Sequence, residues 1–254
     1  MLRERFSLEG RTALVTGASR GIGRAIALGF AEHGADLVLA ARQRQGLEAV
    51  AREVEAHGRR AAVLPVNTGD EDSIRALADE IEARGLAVDV LVNNAATNPV
   101  MTPLVDLETR AWRKILDTDV TGPFLLCRAL APGMLRRGRG AIINVASNGG
   151  LSPAPGLGAY CTSKAALIHL TRCLAVELGP RGVRVNAIAP GLVETRMARA
   201  LFENEPGYRA YVQRNPLRRH AAPEEIAGAA LLLASDAGSY ANGATLVLDG
   251  GITL

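Results

Sequence analysis

The stretch Thr12-Ala13-Leu14-Val15-Thr16-Gly17-Ala18-Ser19-Arg20-Gly21-Ile22-Gly23 runs from a short apolar segment into a glycine cluster, and then into a helical pattern carrying Ile26 and Phe30 among small alanines. The apolar run reads as a buried strand, the glycines as a tight turn and the continuation as a helix. Gly17 lets the chain turn sharply, Gly21 leaves no side chain where a pyrophosphate would approach, and Gly23 permits close helix–strand packing. Amide N–H groups at the start of the new helix then face any phosphate placed there. The glycine spacing is 17, 21, 23 rather than G-x-G-x-x-G, and the Gly-Lys-Ser/Thr ending of a triphosphate loop is missing. By itself the segment fits a cofactor site and ordinary turn chemistry equally well.

Outward from this turn, short branched-apolar runs alternate with helical patterns along the whole chain. The runs predict strands at 12–16, 36–41, 61–66, 89–93, 141–146, 183–188 and 245–248. Between them Leu47, Val50 and Val54, then Ile74, Leu77, Ala78 and Ile81, and later Leu167, Leu170, Leu174 and Leu178 keep helical spacing. Helices between nearly continuous apolar strands predict an α/β fold, with a mostly or fully parallel seven-stranded sheet covered on both faces. Right-handed crossovers leave a doubly wound open sheet as the expected topology, with ligands at the carboxyl ends of its strands. Ser19 and Arg20, Arg42, Asn67, Asn93 and Asn94, Ser147, and Pro190-Gly191 follow the first six strands in turn. That coincidence points to one site along the carboxyl edge.

Tyr160-Cys161-Thr162-Ser163-Lys164 places a phenol and an ammonium four residues apart, one helical turn, with Ser147 thirteen residues upstream. A free tyrosine, with a pKa of about 10, is a poor base at neutral pH, and a cation beside it favours the phenolate. The pairing suits a general acid/base that exchanges a proton with a carbonyl or hydroxyl oxygen. A Tyr–Lys pair at this spacing is common in helices, and it gains meaning here from the glycine turn upstream.

Composition narrows the alternatives. The chain has 254 residues, 48% hydrophobic and 22% charged, enough for one substantial core and one domain over 1–254. A net charge of +3 with scattered arginines does not predict nucleic-acid binding, and aromatics at 4% leave little for base stacking. Arg136-Arg137-Gly138-Arg139 is expected to form a solvated loop. No run predicts a membrane span, and Met1-Leu2-Arg3-Glu4-Arg5-Phe6 lacks an apolar signal core, so a cytoplasmic location is expected. Cys127, Cys161 and Cys173 have no metal-like spacing and read as small core or interface residues in a reducing compartment. The four histidines are dispersed, His33 and His57 reading as helix-end residues beside Gly34 and Gly58, and no metal site is expected.

Together, Thr16-Gly-Ala-Ser-Arg-Gly-Ile-Gly23, Asn93-Asn-Ala-Ala96, Ser147, Tyr160 with Lys164, Pro190-Gly191-Leu-Val-Glu-Thr195 and Leu246-Val-Leu-Asp-Gly-Gly251 resemble the short-chain dehydrogenase/reductase family over nearly the whole chain. The resemblance implies a Rossmann-like fold and hydride exchange with a nicotinamide cofactor. It implies Tyr160 as proton donor and acceptor, Ser147 as a hydrogen-bond partner of the substrate oxygen, and Lys164 as holder of the nicotinamide ribose and promoter of the Tyr160 phenolate. By the same resemblance Gly17, Ser19, Arg20, Gly21, Ile22 and Gly23 line the phosphate turn, and Asn93 with Ala95 the ribose and nicotinamide side. Pro190, Gly191, Val193 and Thr195 would hold the nicotinamide. The same likeness implies a homotetramer, or a dimer, built from the helices near 117–135 and 160–179 and from the last strand.

Within the family the chain resembles 3-oxoacyl-carrier-protein reductases and carbonyl reductases, the latter through Asn94-Ala95-Ala96-Thr97-Asn98-Pro99. Phe6-Ser7-Leu8-Glu9-Gly10-Arg11 and Asp249-Gly-Gly-Ile-Thr253 resemble gluconate 5-dehydrogenases. A carbonyl/secondary-alcohol oxidoreductase is therefore expected, with a sugar-acid dehydrogenase or a nucleotide-binding scaffold of weakened catalysis as alternatives. The second strand ends in Arg42 rather than an acidic residue, so Arg42 and Arg20 predict NADP(H) over NAD(H) by pairing with a 2′-phosphate. Three positions depart from the family pattern. Asp119 replaces an asparagine that helps hold a water leading from the lysine, so the relay is expected to be altered. Asn67 stands where an aspartate commonly meets adenine, and Ala96 replaces a glycine. Residues 192–216 form a candidate substrate lid, with Met197, Phe202 and Tyr208 as candidate specificity residues and Arg196, Arg199 and Arg209 as candidate carboxylate ligands. A pair of surface helices explains the segment equally well.

Overall fold

Leu14 packs into one apolar layer while its neighbours Ala13 and Val15 pack into another, and all three are fully buried. Apolar residues on both faces of one strand require cover on both sides, and the computed structural model, which describes residues 2–98 and 100–254, supplies it. In chain order the main elements are β1 (Thr12–Thr16), α1 (Gly21–Glu32), β2 (Asp36–Ala41), α2 (Arg44–Ala56), β3 (Ala61–Pro65), α3 (Glu71–Ala83) and β4 (Val88–Asn93). There follow α4 (Thr109–Leu116), α5 (Gly122–Arg137), β5 (Gly140–Val145), α6 (Gly158–Leu178) and β6 (Val183–Pro190). The chain ends with α7 (Arg199–Glu203), α8 (Glu205–Arg214), α9 (Glu224–Ala234) and β7 (Thr245–Leu248).

The strands form one seven-stranded sheet in the order β3-β2-β1-β4-β5-β6-β7, every adjacent pair parallel. The predicted strands match within two residues at each end, the usual uncertainty of element boundaries. Ile26 and Phe30 of α1, Leu47, Val50 and Val54 of α2, and Ile226 and Leu233 of α9 join Ala13 and Val15 in one layer. Ile74, Leu77 and Ile81 of α3, with Leu126 and Met134 of α5, join Leu14 in the other. Burying each large side chain contributes about 1.5–3 kcal/mol. The chain builds outward from β1 to β3, then crosses back to β4, so the topological switch lies between β1 and β4.

Two local features correct or extend the sequence reading. Arg136–Arg139 is not a solvated loop throughout: α5 runs to Arg137 and ends at Gly138 in the left-handed region, φ 65°. The Arg137 guanidinium turns back onto the Val88 carbonyl and lies 3.5 Å from Asp89, because a carboxylate buried at the start of β4 needs a cation. The join between α4 and α5 is a π-helical turn, Asp117–Thr121, with Asp119 wholly buried inside it. Such turns widen a helix locally and recur at functional sites. Residues 192–216 contain α7 and α8, neither with a buried residue. Phe202, Tyr208 and His220 stack on one another there at centroid distances of 5.0–5.7 Å. His33 and His57 cap the ends of α1 and α2 as expected. Among the described residues no helix is long and apolar enough to cross a membrane.

Candidate active site

The glycine turn is held from below by two polar residues. Thr16 Oγ1 donates to the Val92 carbonyl and accepts from the N–H groups of Asn94 and Ala95, at 2.9–3.1 Å. Asn94 Nδ2 donates back to the Thr16 carbonyl at 2.8 Å and reaches the Gly17 carbonyl at 3.4 Å. These bonds stitch the ends of β1 and β4 together at the switch point. Gly17 takes φ 65° and Gly21 φ 54°, the left-handed region that glycine adopts freely. A β-carbon at Gly23 would stand 2.4 Å from the Gly17 carbonyl oxygen, so nothing larger than glycine fits where α1 meets the turn. Arg20 caps α1 with no side-chain hydrogen bond to the first turn, which leaves those amides available to an anion.

The remaining predicted residues surround this turn. Thr195 Cγ2 would lie 3.2 Å from a β-carbon at Gly21, so the strip Pro190–Thr195 crosses the glycine turn. Gly191 N–H donates to the Leu248 carbonyl, and buried Val193 bridges to Ala221. Ser19 and Ile22 are half-buried on the turn, and a β-carbon at Gly46, in the first turn of α2, would touch the Ser19 side chain. Arg20 and Arg42 are exposed, and among the described residues neither guanidinium forms a salt bridge. Asn67 is exposed at the end of β3, and its Oδ1 accepts the Gly69 N–H at 3.3 Å.

Asn93 stands at the end of β4 with its side chain turned inward. Its side chain is buried, Nδ2 donating to Asn144 Oδ1 at 2.8 Å and approaching Cys127 Sγ at 3.7 Å, and Asn144 in turn donates to Thr171. The Nδ2 group is committed to an interior chain of amides, while Oδ1 is buried without a hydrogen-bond partner among the described residues, so the main chain is the part of Asn93 that can serve a ligand. Burial pushes the Cys127 thiol up to about 12, which fits a core residue rather than a nucleophile. Ala95 and Ala96 are half-buried beside the turn, and Pro99, the end of the stretch Asn94–Pro99, lies outside the described residues.

Ser147, Tyr160 and Lys164 meet at the end of β5. Ser147 Oγ accepts the Gly149 N–H at 3.1 Å and caps a single 3-10 turn, Asn148–Gly150. A β-carbon at Gly149 would stand 3.4 Å from Ser147 Oγ and 3.9 Å from Tyr160 Cε1, so Gly149 sits between the two side chains. A β-carbon at Gly150 would strike the α6 backbone at Lys164 and Ala165. The two glycines therefore let the serine loop lie directly on the tyrosine helix. Among the described residues the half-buried Tyr160 hydroxyl has no hydrogen-bond partner. Lys164 is buried, its Nζ 5.5 Å from the Tyr160 ring centroid, donating to the Val145 carbonyl at 3.2 Å.

Asp119 completes the cluster. Its Oδ2 lies 3.5 Å from Lys164 Nζ and accepts from Ser163 Oγ at 3.4 Å, while Oδ1 accepts the Thr97 N–H at 2.8 Å. Burial raises this carboxyl above its ordinary range, against the opposing pull of the Lys164 ammonium and the Thr97 hydrogen bond. The carboxylate thus ties the tyrosine helix to the loop after β4.

A family model described as Enoyl-(Acyl carrier protein) reductase matches residues 17–253. The chain belongs to the short-chain dehydrogenase/reductase family. It is accordingly an oxidoreductase that acts on an alcohol or carbonyl carbon with a nicotinamide cofactor. It is 38% identical to the dehydrogenase/reductase SDR family member 4 of Oryctolagus cuniculus, over 97% of this chain and 95% of that protein. It is 36% identical to the gluconate 5-dehydrogenase of Gluconobacter oxydans (strain 621H), over 98% and 97% respectively. The structure of a gluconate 5-dehydrogenase from Burkholderia cenocepacia J2315 in complex with NADP and tartrate superposes with a TM-score of 0.95 at 36% identity, covering 100% of this chain and 99% of that one.

The sequence reading gives Thr16 and Asn94 no bracing role and does not single out the Gly149-Gly150 pair. Their signals were present as a threonine ending the first strand, an Asn-Asn doublet after the fourth, and two glycines just behind Ser147.

Proposed function

We propose that this oxidoreductase uses NADP(H) and interconverts a carbonyl with a secondary alcohol, with Tyr160 as its general acid/base. The observation that carries the reading is the free Tyr160 hydroxyl, one helical turn from the buried Lys164 and separated from Ser147 only by Gly149. Ser147 Oγ can donate to a substrate oxygen that gains alkoxide character, and Tyr160 supplies or removes its proton. Lys164, held by the Val145 carbonyl and Asp119, brings its ammonium group to 5.5 Å from the Tyr160 ring centroid. When bound, the nicotinamide supplies or accepts the hydride.

The glycine turn fits such a cofactor: the absence of β-carbons lets Gly17 and Gly23 close against Asn94 and Gly21 against Thr195, and the uncapped amides of α1 lie beside it. Arg20 and Arg42 would take the 2′-phosphate of NADP(H), with NAD(H) a weaker alternative, and the NADP carried by the Burkholderia relative supports this preference. Ser19, Ile22, Ala95, Pro190, Gly191, Val193 and Thr195 would line the rest of the cofactor, and Asn67 the adenine end. The decisive experiment is a carbonyl and alcohol panel run with both cofactors on wild type and Tyr160→Phe. Tyr160-dependent turnover with NADP(H) is the expected result. Saturable cofactor binding with no turnover of any substrate would favour the scaffold reading.

A second reading, a sugar-acid dehydrogenase, is favoured by Arg196. Arg199 pairs with Glu203 and Arg209 with Glu205, but Arg196, next to Thr195, has no carboxylate partner among the described residues. The segment 192–216 would serve either substrate as a lid. We further infer a cytoplasmic homotetramer, or dimer, joined through α5 and α6. Phe124 and Val176 are exposed apolar residues on these helices, as expected of a covered surface. A monodisperse monomer by light scattering at micromolar concentration would refute it.

A further inference from the structure

Charged residues make up 22% of the chain, yet residues 90–105 and 140–163 contain no Asp, Glu, Lys, Arg or His. Both stretches border Tyr160. The first is anchored at one end by Asp119, through Thr97 N–H. At the other end Thr102 N–H donates to the Gly156 carbonyl at 3.0 Å, the Met101 side chain rests on Gly156, and the Leu104 side chain covers Gly158, two residues before Tyr160. The second stretch carries Ser147, then Gly149 and Gly150, then Leu151. Val100, Met101, Leu104 and Leu151 are each 40–69% exposed, well above what core packing leaves for such side chains. The charged pair beside Tyr160, Lys164 with Asp119, is buried and its two members face each other.

A surface that keeps apolar groups in water beside a reacting centre, with no charge among them, gives nothing to a carboxylate and favours a hydrocarbon. We propose that the substrate is neutral and apolar beyond its reacting carbonyl, its chain lying along a collar formed by residues 100–105 and 148–158. The proposal rests on the carbonyl–alcohol reading above and names its substrate class. It sets the sugar-acid reading, which rests on Arg196 and on the likeness to gluconate 5-dehydrogenases, in second place.

The test compares a homologous series of neutral 2-alkanones with the matching ω-carboxylates and with a keto-sugar acid, using the enzyme with NADPH. Lengthening the neutral chain is expected to raise kcat/KM by about threefold to fourfold per methylene until the collar is filled, as burial of a CH2 group predicts. The ω-carboxylates are expected to be at least about tenfold poorer at equal length. Leu151→Lys and Met101→Lys should flatten the length dependence and narrow the gap to the carboxylates, with Tm reported for each variant to establish folding. Binding is measured separately by calorimetry with unreactive neutral alkanamides, whose affinity should rise with chain length in wild type and not in Leu151→Lys. A flat neutral series, or a keto-sugar acid preferred and lost in Arg196→Ala, overturns the proposal while leaving Tyr160 chemistry intact. If nothing is turned over, the carbonyl–alcohol reading fails, and the alkanamide series still decides the collar. Variants that change molar mass in light scattering but not alkanamide affinity would make the rim a subunit contact and overturn the proposal as well.

Discussion

Lys164 Nζ lies 3.5 Å from Asp119 Oδ2, and both side chains are almost completely shielded from solvent. The carboxylate comes from the π-helical turn before α5, the ammonium from α6, and the Thr97 N–H that Asp119 also binds comes from the loop after β4. Three segments around Tyr160 are thereby joined by one side chain. Burial raises the Asp119 carboxyl above the value it would have in the unfolded chain. An acid with a raised folded pKa contributes its stability in full at low pH and loses it as pH rises through that pKa. Asp119→Asn keeps an acceptor for Thr97 but does not titrate. The stability of the variant relative to wild type should therefore improve from acid toward neutral pH, measured by thermal unfolding at several pH values. A difference that does not change with pH would exclude a titrating role. In activity, Asp119→Asn should displace the basic limb of the kcat/KM profile, since it removes the charge facing Lys164. An unchanged profile would make Asp119 purely structural.

Tyr160→Phe keeps the ring between Gly149 and Lys164 and removes only the hydroxyl. Positioned acid–base catalysis contributes about 10²–10⁴ in rate, so turnover should fall by roughly that factor or more while the dissociation constant for NADPH stays within about twofold. Ser147→Ala should lower kcat with a smaller effect on cofactor binding, and Lys164→Ala should damage both. A Tyr160→Phe enzyme with near-normal rate at neutral pH would end the proposed mechanism.

Arg42 follows β2 directly and, like Arg20, is exposed without a salt bridge. Charge-assisted hydrogen bonds contribute about 1.5–3 kcal/mol. Arg42→Ala should therefore lower kcat/KM with NADPH by roughly 10–100-fold and leave that with NADH nearly unchanged. Measuring both cofactors on wild type and variant checks this, and an unaltered ratio would place the 2′-phosphate contact elsewhere.

The fold was legible because each strand of a sheet covered on both sides is a short unbroken apolar run, and each helix keeps its apolar residues at helical spacing. Leu14 and Val38 against Val15 and Leu39 show why: neighbouring residues are buried in opposite layers, so no polar alternation interrupts the pattern. The candidate site residues lie where the strands end, and glycine-rich turns mark that edge. What stayed hidden were relationships between segments distant in sequence. Asn93 and Asn94 look equivalent as a doublet, but strand alternation sends the first into the interior toward Asn144 and the second onto the glycine turn. The π-helical turn at Asp117–Thr121 has the same local pattern as an α-helix. The Arg137–Asp89 contact depends on the end of α5 returning beside the start of β4.

Gly23 tests whether the turn is built for close packing. A β-carbon there would stand 2.4 Å from the Gly17 carbonyl oxygen and 2.5 Å from Asn94 Nδ2, neither of which can yield without opening the turn. Gly23→Ala should cost about 1–3 kcal/mol, the usual scale of overpacking, and should weaken NADPH binding together with stability. Asn94→Ala should also loosen the turn, by removing its amide brace. Urea unfolding and cofactor titration on both variants provide the check, and a Gly23→Ala protein of wild-type stability would show that the turn can relax.

The start of α9, beside the Val193–Ala221 bridge, supplies a pH test of stability. Arg219 and Glu225 form a two-bond pair at 2.7 Å each, and Glu225 Oε2 also accepts the Ala222 N–H at 2.8 Å. The Arg219 hydrogen bonds, followed by that of Ala222, hold the Glu225 carboxyl down to about 2 from an ordinary value of 4.5. A carboxylate with a depressed folded pKa contributes stability that is fully present above the unfolded value and lost as pH falls through the folded one. The stability difference between wild type and Glu225→Gln should therefore be constant above about pH 4.5 and shrink toward zero near pH 2. The pair is on the surface, so raising salt from 0.1 M to 1 M should reduce the part of the difference that comes from charge. Urea midpoints taken across this range at both salt concentrations test it. A difference that persists unchanged at pH 2 would mean that the glutamate acts through its shape and hydrogen bonding rather than its charge.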